Sequence, residues 1–173
     1  MLNIYINTWG NYNENGADGG EWISLPMENL YNTLDRIAEN MGDDDPEFFI
    51  NDYEWTTEMN IREIGEMENI EELNEELTAL SNLNQWEQEI FCAAVELWGY
   101  DSVSVDDIDD FILHNHINTD YDLGYHLIHE AGIYDLDSMG NLANYIDYEA
   151  FGRDVRFESD GGFTSLGWVE RCL

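Results

Sequence analysis

The strongest constraint on this chain is its charge. It contains no lysine, and its 39 aspartates and glutamates face only five arginines. The resulting net charge of −34 works against compaction, because like charges repel one another when a chain collapses. The composition still allows a core, since 43% of the residues are hydrophobic and 13% are aromatic, whereas disordered acidic segments lack aromatics. Something other than stability must therefore maintain the charge.

The charge density is comparable with that of duplex DNA. A compact chain of 173 residues has a diameter of about 40 Å, and B-DNA carries roughly 24 charges over that length, at one per about 1.7 Å of axis. A positively charged cleft would therefore meet a field like that of a duplex, whereas nucleic acid and anionic membranes would be repelled. Adaptation to a high-salt cytoplasm or a role as a calcium buffer would also produce a strongly acidic chain.

The order of apolar patterns predicts an α+β protein in three parts. Residues 1–60 form a small α+β domain, residues 61–102 an acidic helical domain, and residues 103–173 a C-terminal α+β domain. Met1 leads straight into a strand-like segment, and no apolar run approaches the length of a membrane span. We therefore expect a cytosolic protein.

The first part has a β-β-α-β pattern. Residues 2–8 and 21–25 read as strands, and the segment between them is rich in Asn and Gly and predicts a loop. Pro26 is expected to open a helix that ends at Gly42. A third strand follows over about residues 47–55.

The middle part changes to a helical period. Four apolar residues recur at helical spacing and predict one buried stripe, at Ile70, Leu73, Leu77 and Leu80. A second helix over about residues 84–98 is expected to turn four side chains inward, those of Trp86, Ile90, Ala93 and Leu97.

The last part mixes helices and strands. Ser104 is a candidate N-cap, and the residues expected to point inward after it are Val105, Ile108 and Ile112. A helix over about 120–130 is expected to end at Gly132, and a short helix near 141–151 follows. Strands are predicted around 154–158 and 163–170, joined by Gly161 and Gly162.

Acids recur on successive elements of the middle and last parts with almost no counter-charge. On a helix, a defined face and a rise of about 1.5 Å per residue hold such groups apart. We therefore predict a DNA-mimicking surface formed by Glu63, Glu66, Glu68, Glu71, Glu72, Glu75, Glu76, Glu87, Glu89, Glu96, Asp101, Asp106, Asp107, Asp109, Asp110, Asp120 and Asp122.

Metal sites and catalytic motifs are not predicted. The two loops that most resemble an EF-hand place Trp22 and Ile146 where the bidentate Glu is required. The spacings of the four histidines match no common zinc site and read as exposed helix ends, at His114, His116, His126 and His129. Cys92 reads as a small buried hydrophobe. With 39 acids, carboxylate pairs are uninformative, although a hydrolase that uses carboxylates stays open as an alternative. We expect no cofactor and no enzyme activity.

Three segments carry a resemblance to a known family. Residues 144–154, NYIDYEAFGRD, resemble the signature near the C terminus of ArdA-type antirestriction proteins. Residues 4–26 are similar to the family's N-terminal pattern of strand, Asn/Gly loop, Gly-x-Trp and closing Leu-Pro, and residues 50–54 resemble the strand after its first helix. The resemblance spans the whole chain.

This resemblance implies an elongated homodimer that is encoded by mobile elements or phages, and in which the C-terminal domain forms the dimer contact. It also implies the function of a DNA mimic, which occupies the DNA-binding groove of a type I restriction–modification enzyme and blocks restriction. Whether the mimic also blocks modification by the same enzyme stays open. Inhibition of another DNA-binding defence system is the alternative. Within the signature, the aromatic residues read as packing, Gly152 as a backbone requirement and Arg153 as an ion-pair partner of Asp147 or Asp154. The structural set is Asn144, Tyr145, Asp147, Tyr148, Phe151, Gly152, Arg153 and Asp154.

Overall fold

The computed structural model describes residues 1–56, 61–132 and 134–172. They divide into two compact units, Met1–Asn84 and Gln85–Leu173. Each unit combines helices with a three-stranded antiparallel sheet, which confirms the predicted α+β class. Within the described ranges, no helix is both long and apolar enough to cross a membrane.

The sheet of the first unit consists of β1 (Leu2–Thr8), β2 (Glu21–Leu25) and β3 (Phe48–Trp55), in the order β2-β1-β3. Alternate residues of the central strand are fully buried, at Leu2, Ile4 and Ile6. The strand positions agree with those expected from alternation in the sequence.

Two helices supply the rest of this core. They are α2 (Leu30–Met41), which begins four residues after Pro26 and ends at Gly42, and α3 (Ile70–Asn82). The stripe predicted for the second of them is buried and belongs, except for Leu80, to the same cluster as β1. Burial of each apolar side chain of this stripe stabilises the fold by about 1.5–3 kcal/mol. This outweighs the cost of roughly 0.2–0.5 kcal/mol for each pair of glutamates that lie one turn apart on the exposed face of α3.

The predicted loop after β1 is instead a helix, α1 (Trp9–Asn15), followed by a 3₁₀ turn at Ala17–Gly19. Thr8 caps it by accepting a hydrogen bond from the backbone N–H of Asn11 (3.2 Å). The buried Asn11 side chain donates to Asn7 Oδ1 (2.7 Å) and to the Gly19 carbonyl (2.8 Å). The composition indicates turns, but these side-chain hydrogen bonds hold a helical segment in place.

The second unit begins with α4 (Gln85–Trp98) and two 3₁₀ segments, Tyr100–Ser102 and Val105–Asp110. Its remaining helices are α5 (Asp120–His129), α6 (Leu136–Met139) and α7 (Tyr148–Glu158), with a 3₁₀ segment at Gly140–Tyr145 between the last two. The strands β4 (Phe111–His114), β5 (Gly161–Thr164) and β6 (Gly167–Arg171) form a sheet in the order β4-β6-β5.

Several predictions for this unit are wrong. Ile112, predicted to point inward, is 43% exposed, because it lies on a strand where its neighbours Phe111 and Leu113 take the buried positions. Trp86 and Leu97 are also more than one-third exposed. Residues 154–158 form the last turns of α7 rather than a strand.

The segment predicted to be one strand over 163–170 is a hairpin. Gly161 and Gly162 lie within β5, where added Cβ atoms would meet Trp168 and Leu97 at 2.7 and 2.6 Å. Close packing against Trp168 and the Val169 carbonyl oxygen therefore favours glycine at position 161, whereas the Leu97 side chain beside Gly162 can move.

The helices of the predicted middle part fall into different compact units. The first, α3, packs in the core of the unit that contains β1, whereas α4 belongs to the unit that begins at Gln85. The two units divide between Asn84 and Gln85, so neither predicted boundary, at 60/61 or at 102/103, coincides with this division. The division into three domains stays a prediction.

Candidate functional site

The N-terminal acidic group comprises seven of the predicted residues. It consists of Glu63, Glu66, Glu68, Glu71, Glu72, Glu75 and Glu76. Asn69 caps α3 and accepts hydrogen bonds from the backbone N–H groups of Glu71 (2.9 Å) and Glu72 (3.2 Å). Glutamates in the first turn are favourable beside the positive end of the helix dipole. The local structure thus fixes the direction of this acidic face.

One arginine neutralises part of this group. Arg62 donates to Glu68 Oε1 (2.6 Å) and to Glu76 Oε2 (3.2 Å). Partial burial disfavours the charged form of Glu68, but hydrogen bonds from Arg62 and from the Gly65 backbone N–H outweigh it, so the pKa of this carboxyl is lowered. Glu68 and Glu76 are therefore already engaged within the chain.

The C-terminal acidic group comprises the other ten predicted residues. It consists of Glu87, Glu89, Glu96, Asp101, Asp106, Asp107, Asp109, Asp110, Asp120 and Asp122. Its densest part is the 3₁₀ segment Val105–Asp110, in which the four aspartates are exposed while Ile108 is buried. As predicted, Ser104 caps this segment, through a hydrogen bond from the Asp106 N–H (3.2 Å).

Several members of the C-terminal acidic group are also engaged internally. Glu96 accepts from the N–H and hydroxyl of Ser165 (2.8 and 2.6 Å). Asp120 pairs with Arg156 (2.7 Å), and Asp122 accepts from the Asn118 N–H (3.1 Å). Such carboxylates have less freedom to contact a partner.

Nine of these seventeen acids form what we call the open carboxylates. Each is exposed, and none makes a side-chain hydrogen bond or ion pair to another of the described residues. They are Glu63, Glu66, Glu72, Glu75, Asp101, Asp106, Asp107, Asp109 and Asp110. Both units contribute members, so each presents carboxylates that are available to cations of another molecule.

The signature segment is centred on α7. The side chain of Asp147 caps this helix by accepting from the Ala150 N–H (3.0 Å). Gly152 lies against α5, where an added Cβ would overlap the carbonyl oxygen of Asp120. Arg153 approaches Asp154 at 3.7 Å, and both side chains are more than half exposed.

The aromatic residues of the signature differ in their environments. The Tyr148 hydroxyl lies 2.8 Å from Nε2 of His129, and the Phe151 ring packs edge-on against Tyr134. Tyr145, predicted to pack, is 84% exposed, since it ends the exposed 3₁₀ segment Gly140–Tyr145. Asn144 in the same segment is exposed too.

The fold gathers histidines that the sequence spacing separates. His116, His126 and Glu130 place one ligand atom each within 4.8 Å of the others, and the His114 ring lies 4.9 Å from that of His126. The side chain of His126 is only 19% exposed. His116 and His129 are exposed, as expected, whereas His114 and His126 are half-buried, because the ring at the end of β4 packs against the ring on α5.

The two loops compared with an EF-hand begin at Asn11 and Asp135, and each contains a short helix. Asn11 is committed to the hydrogen bonds within α1 described above. Asp135 caps α6 by accepting from the Ser138 N–H (3.4 Å). In both loops these side chains therefore stabilise a short helix.

Cys92 is expected to be a poor nucleophile. Burial raises the pKa of its thiol to about 11, and the negative charge of Glu89 adds to the rise, whereas an ordinary cysteine has a pKa of about 8.5. At pH 8 we expect iodoacetamide to alkylate Cys92 at least about 100-fold more slowly than the exposed Cys172. Mass spectrometry of peptides over time measures both alkylation rates, and the Cys172→Ser variant isolates the rate at Cys92. Equal rates at the two cysteines would make Cys92 a candidate nucleophile.

The chain matches the model of a known protein family. A family model described as antirestriction protein (ArdA) matches residues 4–170. No curated protein matches the chain. The matched range includes all of the open carboxylates and the entire signature segment.

Proposed function

The chain belongs to the ArdA family of antirestriction proteins, and we propose on that premise that it acts as a DNA mimic. In this proposal it occupies the DNA-binding groove of a type I restriction–modification enzyme and blocks restriction. It also blocks modification where that reaction uses the same groove. It acts by binding alone and has no catalytic step. Its binding partner is therefore a protein, the enzyme itself, and not nucleic acid.

The open carboxylates are the observation that carries this proposal. Enzymes hold DNA largely through Lys and Arg contacts to phosphates, and these contacts release counterions. A carboxylate that is exposed and not paired within its own chain offers the same cations an equivalent charge. Seven of the open carboxylates lie on or beside α3 and the 3₁₀ segment Val105–Asp110, namely Glu66, Glu72, Glu75, Asp106, Asp107, Asp109 and Asp110.

Rigid presentation of these charges also supports mimicry. Asn69 and Ser104 cap the two acidic elements, while Leu73 and Ile108 anchor their inner faces. A disordered acidic segment would have to lose backbone conformational entropy on binding, whereas the backbone of these two elements is already folded. Steering by the net charge of −34 should further accelerate encounter at low salt.

We propose that the protein acts as a homodimer. The second unit exposes large apolar side chains, with Leu142 and Phe157 each 72% and Tyr145 84% accessible. Exposed apolar groups of this kind are typical of surfaces that meet another protein. The contact would bury Tyr145, in keeping with the packing role expected from the signature.

Displacement of DNA tests the proposal directly. We expect increasing amounts of the protein to release a labelled duplex from a purified type I restriction–modification enzyme. The apparent affinity should fall by roughly 100-fold between about 50 and 200 mM salt, because each contact is an ion pair with a phosphate-binding cation. Fluorescence anisotropy at several salt concentrations measures both effects.

The matching controls separate the alternatives. A non-cognate DNA-binding enzyme should keep its duplex, because shape decides which basic groove is filled. If every type I enzyme keeps its DNA while another defence nuclease releases its own, that nuclease is the target instead. A protein that folds only in molar salt and displaces nothing would instead indicate salt adaptation.

A further inference from the structure

Three side chains with metal-binding atoms meet in the second unit. His126 and Glu130 lie one turn apart on and just after α5, and His116 follows β4. His126 Nδ1 is 2.8 Å and His116 Nε2 is 3.8 Å from Glu130 Oε2. Residues from two different parts of the chain thus point at a common position.

We propose that His116, His126 and Glu130 bind a divalent transition-metal ion of the zinc class. A tetrahedral ion with bonds of about 2.0–2.2 Å needs donor atoms about 3.3–3.5 Å apart. The three ligand atoms lie within 4.8 Å of one another, so side-chain rotation alone can close the site. Two imidazoles select such ions over calcium and magnesium, which prefer shells made of oxygen.

The surroundings leave room for a fourth ligand. The three residues line a pocket of about 310 Å³ together with Tyr121, Asp122 and Tyr125. The side chains of His116 and Glu130 are 58% and 52% exposed, so an ion can enter from solvent and retain water. The site is therefore of the open kind, with three protein ligands and one exchangeable position.

The fourth histidine of this region, His114, packs beside the cluster but has a different partner. The His114 ring lies 4.9 Å from the His126 ring, and its Nε2 lies 3.4 Å from Glu170 Oε1. The buried Trp168 donates to the other oxygen of Glu170 (3.3 Å). His114 is therefore engaged by Glu170 and is not counted among the three ligands.

A simple ion pair between His126 and Glu130 is the competing hypothesis. It accounts for their 2.8 Å contact, but it does not require His116 to approach the same carboxylate oxygen. The two hypotheses differ in what a metal ion does. An ion pair alone gives only the weak, salt-screened attraction that any acidic surface has for cations.

Calorimetry of the untagged full-length protein with Zn²⁺ distinguishes them. At about pH 7.5, with enough salt to screen surface carboxylates, we expect one saturable site per chain. His116→Ala and His126→Ala should each weaken it at least about 10-fold. The matched control is His129→Ala, which removes a histidine of the same helix whose ring contacts Tyr148 instead.

A second measurement guards against loss of fold. Co²⁺ bound to the wild type should give the intense visible absorption of a four-coordinate ion, and Glu130→Gln should alter that spectrum while circular dichroism stays unchanged. Absence of a saturable Zn²⁺ site in the wild type overturns the proposal. So does equal binding by the wild type and a His116→Ala/His126→Ala variant, because surface carboxylates would then account for all of it.

Discussion

Reversing three open carboxylates is expected to abolish displacement of DNA from the target enzyme. In the variant Glu66→Lys/Glu72→Lys/Glu75→Lys, each attraction to a DNA-binding cation becomes a repulsion, and like charges brought together at an interface cost several kcal/mol. The expected loss of affinity is about 100-fold or more. These residues are exposed, so the change need not disturb the core. Competition between the variant and a labelled duplex measures the loss.

A control of equal charge separates position from net charge. Glu39, Asp44 and Glu47 are exposed acids of the same unit that lie outside the predicted surface. Reversing these three gives the same change, from −34 to −28, since each replacement adds two units. We expect this control to retain affinity within about 10-fold. Equal losses in both variants would mean that only overall charge matters, and displacement by the first variant as good as wild type would exclude α3 from the mimic.

Single neutral substitutions should show that the contact is distributed. Glu72→Gln removes one charge and leaves its neighbours in place, so the expected effect is about 1 kcal/mol or less, as for other exposed ion pairs. A large loss from this one change, with the fold retained, would indicate a discrete site instead of a stripe. The structure also directs the choice of residues, because Glu68 and Glu76 already pair with Arg62.

The first unit was largely predictable because its signals are local. The alternation of β1 and the stripe from Ile70 to Leu80 each identify one buried face within a single element. What the sequence missed there was α1, since Asn and Gly are frequent in turns. Its helix depends on hydrogen bonds of Asn7, Asn11 and Gly19 that form only after the chain closes on itself.

The second unit was less predictable because packing there overrides pattern. Val105, Ile108 and Ile112 have helical spacing, yet the helix changes to a strand at Phe111 and exposes the last of them. The alternation of residues 154–158 indicates a strand, but α7 continues through it. Its approach to α5 is a tertiary property that no local pattern records.

The candidate sites show the same limit. Exposed acids on α3 could be assigned from helical spacing, but internal pairing of Glu68 and Glu96 required the positions of Arg62 and Ser165. The histidine cluster was missed because spacing rules compare neighbours in sequence. Its members come from the end of β4 and from α5, which only the fold brings together.

The second large effect is expected at Gly152, where α5 and α7 touch backbone to backbone. A Cβ at Gly152 would overlap the carbonyl oxygen of Asp120, and one at Gly124 would overlap that of Tyr148. The two glycines face each other across the contact. Neither helix can therefore accept even a methyl group without moving away.

Such a movement would open the core beside it. The cluster of Ile117, Leu123 and Trp168 packs against Leu127 of α5 and Val155 of α7, so separating the helices loosens contacts on both. The ion pair between Asp120 and Arg156 spans the same helices and would lengthen as well. Several favourable contacts are thus coupled to one glycine.

We therefore expect Gly152→Ala to lower the free energy of unfolding of the second unit by about 3 kcal/mol, at the upper end of overpacking effects. For a unit of this size the melting temperature should fall by roughly 12–24 °C, measured by calorimetry on the full chain. Two controls, one in each unit, place an alanine where its Cβ collides with nothing. Arg153→Ala changes the next residue of α7, which is exposed, and Gly65→Ala meets nothing closer than Glu68 at 3.5 Å. Both should stay within about 1 kcal/mol of wild type, and a Gly152→Ala protein as stable as these controls would show that the helices can separate without cost.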